Sequence, residues 1–140
     1  DREAQMSDAE TDIRVRFASR LVDGFQRCTV PPSKFHHRQH VEVAWHYVRR
    51  FAPAEALARF AADLQRYAAA IGKAHIYHET ITWAYLLLIN ERNARSPAAD
   101  FEAFARDNPD LFAPDAIARF YKPETLASPL ARRVFVFPDV

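Results

Sequence analysis

The chain has 140 residues, enough to bury one core and not two, so a single domain is the expectation. Its 19 Lys and Arg against 18 Asp and Glu leave a formal charge of +1, too little to draw it onto nucleic acid or an anionic membrane, and neither is expected as a partner. Cys28 is the lone cysteine, which rules out a disulfide framework or a cysteine-based zinc knuckle within the chain and fits a reducing, cytoplasmic setting.

Asp1 to Thr11 is polar and acidic and lacks the apolar segment of an export signal. Met6-Ser7-Asp8 reads as an ordinary start, so nothing is inferred from Asp1 to Gln5 and the domain is read over 6–140. A first helix is expected from about Ala9 to Gln26, where Ile13, Phe17, Leu21 and Phe25 recur every fourth residue. Pro31-Pro32-Ser33 separates it from a second helix over about Phe35 to Phe51, with Ser33 as its expected N-cap and Pro53 as its stop. The third spans about Ala54 to Ile71, its apolar face drawn by Leu57, Phe60, Ala61, Leu64, Tyr67 and Ala68, and Gly72 is its expected C′ residue.

The fourth helix is expected to begin near His75 to Tyr77 and to end near Ala94. Trp83 to Ile89 makes it apolar nearly all round, which predicts a central position, yet that run is too short to span a bilayer. Beyond Ser96-Pro97 the pattern shortens to Ala98–Arg106, Pro114–Tyr121 and a turn over Ser128–Arg133. The tail from Val134 to Val140 reads as an extended strap across the bundle. The expected fold is therefore all-α: a compact bundle of about four main helices, short C-terminal helices and an extended tail.

The six histidines fall mostly in two segments, Phe35-His36-His37-Arg38-Gln39-His40 and His75-Ile76-Tyr77-His78-Glu79-Thr80. At about 100° per residue, His37 and His40 share an arc with Val41, Ala44, Val48 and Phe51. His46 shares the opposite, wet face with Arg38, Gln39, Glu42, Arg49 and Arg50, and His36 sits at the boundary. His78 aligns with Ile81, Thr82, Tyr85 and Ile89, and His75 joins that arc if the helix reaches back to it. Two imidazoles from one inward face and a third from another can meet at a point, which is how helical bundles form metal sites. His37, His40 and His78 are thus candidate ligands of a divalent transition metal, Zn, Fe or Cu, with a position open to water or substrate. Glu79 is the candidate general base, orienting group or fourth ligand, and Thr82 a candidate lining residue beside it. The competing reading makes these rings core residues satisfied by carbonyls or tyrosine hydroxyls.

The segments Phe35-x-His37-x-x-His40-x-x-Val43-Ala44-Trp45 and Tyr77-His78-Glu79-Thr80-Ile81-Thr82, followed by Phe120-Tyr121, Ser128-Pro129-x-Ala131-Arg132 and Pro138-Asp139, resemble a family of small uncharacterised bacterial all-helical proteins. The likeness spans about Phe25 to Val140. It implies no activity, substrate or cofactor, but it singles out His37, His40, His78, Glu79, Thr80 and Thr82.

Three function classes follow. One is an enzyme acting on a small molecule between the second and fourth helices, metal-dependent or using His/Glu acid–base chemistry. Another is a non-catalytic small-molecule or metal-binding protein. The last is a helical interaction module, of which a homodimer is one form, with purely structural histidines. No P-loop, His-Glu-x-x-His or Gly-x-Ser-x-Gly motif is present to decide among them.

Overall fold

The computed structural model describes residues 19–140. They form an all-α, single-domain fold with four principal helices, α1 (Arg20–Gln26), α2 (His37–Arg50), α3 (Pro53–Ala70) and α4 (Glu79–Arg95). Three short helices follow, α5 (Phe101–Asp107), α6 (Pro123–Leu126) and α7 (Pro129–Arg133), and the described residues contain no strand. None of the described helices is long and apolar enough to cross a membrane. The first part of the expected N-terminal helix, including Ile13 and Phe17, lies outside the described residues. Within them α1 starts after Ser19, whose hydroxyl accepts from the Val22 amide at 3.3 Å.

Proline and capping chemistry set the boundaries. Pro53 opens α3 at a position where its missing N–H costs nothing. At the other end, Gly72 adopts φ +75°, the Gly72 amide donates to Ala69 O at 3.1 Å, and the Lys73 amide donates to Ala68 O at 2.8 Å. This double bond pattern around a left-handed residue is a Schellman stop, as Gly72 at C′ led us to expect.

Two helix starts differ from expectation. Ser33 does not cap α2: Pro32–Lys34 form a 3₁₀ turn, and His36 occupies the N-cap position in an extended conformation. The Gln39 side-chain oxygen accepts from the His36 amide at 2.8 Å, while His36 Nε2 donates to Ser33 O at 2.7 Å. Likewise α4 does not reach back to His75. That residue is exposed in a second 3₁₀ turn, Ala74–Ile76, and His78 is the N-cap. In both places an imidazole takes a role that the sequence pattern assigned to Ser or to the helix body.

The core joins α1, α2 and α3 through aromatic rings: Phe25 stacks on Phe35 at 5.3 Å and on Phe60 at 6.0 Å and meets Tyr67 at 5.6 Å. Trp45, on the other flank of α2, packs against Phe101 and Phe104 of α5. The face of α2 is therefore wider than the single arc expected, and Val43, Trp45 and Tyr47 are buried as well as Val41, Ala44 and Val48. His46 is half-buried, its ring edge-on against Trp45 at 5.0 Å, and not on an open surface.

Helix α4 packs against α2, α3 and α7, a central place in the bundle, although Leu87 is exposed and the helix is not enclosed on every side. Its far end is tied to the C-terminal segment by Arg92, which donates to Asn108 and to both carboxylate oxygens of Asp110. Together with Arg119, this guanidinium holds the Asp110 carboxyl well below the usual carboxylate range. Pro114–Tyr121 forms consecutive turns, not a helix.

The tail does strap over α4. The buried Thr80 hydroxyl donates to Val134 O at 2.8 Å and accepts from the Val136 amide at 3.1 Å. Tyr121 donates to Val136 O at 2.7 Å, and Phe135 stacks on Trp83.

Candidate functional site

A cavity of about 300 Å³ lies between α2, α3 and α4. Its deep end is apolar, built by Val41 and Ala44 of α2, Phe60 and Leu64 of α3 and Ile89 of α4. Pro32, Lys73 and Ile76, all exposed, mark the mouth between the loop preceding α2 and the loop preceding α4. The void exists because Ala44 and Ala68 present only methyl groups where three helices meet. Its size falls at the lower bound for small-molecule sites.

His37, His40, His78 and Thr82 all line this cavity, so side chains from the two histidine-bearing segments do share one space. Their hydrogen bonds separate them. His78 uses both ring nitrogens: Nδ1 accepts from the Ile81 amide at 3.1 Å as the helix cap, and Nε2 donates to Leu126 O at 2.8 Å. The cap needs a lone pair and the carbonyl needs a proton, which fixes one neutral tautomer. His37 donates through Nε2 to Leu111 O at 2.8 Å, pinning α2 to the segment after α5, and its ring meets Tyr85 edge-on at 5.0 Å.

His40 is different. It lies one turn into α2, its ring centroid 4.4 Å from that of Phe35, and it makes no side-chain hydrogen bond among the described residues. Burial first, then the neighbouring His37 and His36, lower its pKa from the ordinary 6.5 to about 4. It is therefore neutral near pH 7, with one ring nitrogen a donor and the other an acceptor.

Among the described residues no group of three or more His, Cys, Asp or Glu side chains is arranged to hold a metal ion. For His37 and His78, binding an ion through Nε2 would require giving up a backbone carbonyl partner. The expectation that His37, His40 and His78 form a three-imidazole centre for Zn, Fe or Cu thus meets a different geometry: one wall shared by three rings, two of them held by the backbone.

Glu79 is not part of the cavity lining. Its Oε1 accepts from the Tyr77 hydroxyl at 2.7 Å and from the Trp83 indole at 3.0 Å, so the carboxylate fixes the first turn of α4 and the ring above it. Burial pushes the Tyr77 phenol up to about 12. The Thr82 hydroxyl donates to His78 O at 2.7 Å and is committed to the helix start. Sequence reasoning did not assign Tyr77, Lys73 and Ile76 to the site. They lie in the connection before α4, where no periodicity constrains which way a side chain points.

Comparison with protein-family models, curated proteins and solved structures finds no match. Function is therefore read from the geometry of the cavity.

Proposed function

We propose that the protein binds a small organic molecule in the cavity between α2, α3 and α4, with His40 as its polar contact. The observation that carries this reading is a contrast within one wall. His37 and His78 are held by backbone carbonyls, whereas His40 faces the same space with no side-chain partner among the described residues. The His40 ring nitrogens keep contact with solvent, so a polar group of a ligand in the cavity reaches them by displacing water. Glu79, the candidate general base, and Thr82, the candidate lining residue beside it, are engaged in holding the start of α4, which favours binding over catalysis.

The test uses a simple apolar probe. Naphthalene titrated onto methyl-labelled protein is expected to shift the methyl resonances of Val41, Leu64 and Ile89 saturably and to leave those of Val134 and Val140 in place. Filling the void with Ala44→Phe, or with the milder Ala68→Leu, should abolish the response. Absence of saturable shifts in the unsubstituted protein would overturn the reading, as would shifts scattered over the surface.

A further inference from the structure

Resting on that reading, we infer that the natural occupant is a neutral, flat aromatic alcohol whose hydroxyl sits against His40 and whose ring lies among the apolar residues deeper in the cavity.

Size comes first. At the packing density of a protein interior, a space of about 300 Å³ holds on the order of a dozen non-hydrogen atoms, the scale of one or two fused rings with a short substituent. Shape follows from the walls: Phe35, Phe60, Tyr67, Tyr77 and Tyr85 present aromatic rings to the cavity, and flat ligands meet such rings in stacked or edge-on contacts.

The polar requirement is set by what remains unpaired. Tyr67 donates to Val30 O at 2.7 Å, Tyr77 to Glu79 and Thr82 to His78 O, so these hydroxyls are committed as donors. The ring of Tyr85 is turned on His37, and its phenol feels Asp115, which is outside the lining. The Tyr85 hydroxyl, His37 Nδ1 and His40 thus remain without a hydrogen-bond partner among the described residues, and His40 has neither ring nitrogen engaged, one a donor and the other an acceptor. A hydroxyl can give to the acceptor or take from the donor, and it fits either tautomer without rearrangement.

Charge excludes the acids. The lining contains no Arg, Asp or Glu, and Lys73 is exposed at the rim, where water screens it. A carboxylate beside His40 would lose its hydration and gain only a neutral imidazole.

Three matched probes discriminate: 2-naphthol, 2-methylnaphthalene, in which a methyl replaces the hydroxyl, and 2-naphthoate, each titrated at pH 7.5. One good hydrogen bond to His40 predicts that 2-naphthol binds about tenfold more tightly than 2-methylnaphthalene, and that 2-naphthoate is the weakest. In His40→Leu the tenfold preference should disappear while 2-methylnaphthalene still binds. Equal binding of 2-naphthol and 2-methylnaphthalene by the unsubstituted protein overturns the inference but leaves the binding reading intact, and so does 2-naphthoate binding tightest. Failure of all three, together with naphthalene, overturns the binding reading itself. Because the ranking is read on the unsubstituted chain, the outcome does not depend on how well the variant folds.

Discussion

Replacing His78 separates its structural contributions into parts. In His78→Ala three things are lost. The cap on the Ile81 amide contributes about 1 kcal/mol, the hydrogen bond to Leu126 O about another 1 kcal/mol, and the packing of a ring only 8% exposed roughly 1–2 kcal/mol. The expected destabilisation is therefore about 3–4 kcal/mol. In His78→Asn the side-chain carbonyl can still accept from the Ile81 amide, so the cap survives and the loss is about 2–3 kcal/mol. The difference of about 1 kcal/mol corresponds to roughly 4 °C in the thermal midpoint of a domain this size. Urea unfolding followed through Trp45 and Trp83 measures both variants. Equal destabilisation by Ala and Asn would refute the capping role, and full stability of His78→Ala with loss of probe binding would make His78 a site residue.

Three further outcomes follow from the same contacts. Because His40 carries a folded-state pKa of about 4 against 6.5 when unfolded, the unfolded chain binds the proton more readily between those values. Stability should thus be unaffected by this group above pH 6.5 and should fall on the order of 3 kcal/mol as pH drops from 6.5 to below 4, with half-buried His46 adding to the loss in the same direction. His40→Gln should flatten that slope in urea midpoints measured at pH 7 and pH 4, and an unchanged slope would count against it. Thr80→Val strands Val134 O and the Val136 amide, so a loss of about 2 kcal/mol and faster proteolysis within 134–140 are expected; unchanged cleavage would show that the strap is held elsewhere. Gly72→Ala meets no atom within 4 Å but must keep φ near +75°, so it should cost about 1 kcal/mol and Gly72→Asn less, as thermal melts of both would register.

Much of the architecture is legible in the chain itself. The three- and four-residue spacing of apolar positions in the third helix, the Gly72 stop and the proline breaks encode local geometry, and local geometry depends on neighbours within a few positions. The same periodicity turns His37 and His40 toward the cavity, whereas His78 reaches it as the extended N-cap of α4, and the tail before Pro138 crosses the bundle. The sequence pattern places the start of the fourth helix too early and gives the cap of the second to Ser33, because an imidazole is an uncommon N-cap and leaves no propensity signal at His36 or His78.

The sequence alone determined that this chain forms helices, roughly where, and which faces are apolar, since those properties repeat with the helical period. The roles of His37 and His78 come from long-range packing instead. Leu111 O and Leu126 O reach His37 and His78 from 74 and 48 residues away, and no pattern in the chain announces a backbone carbonyl at that distance. The cavity is of the same kind: it arises where Ala44 and Ala68 fail to fill the junction of three helices, a volume set by how the helices cross and not by any one of them.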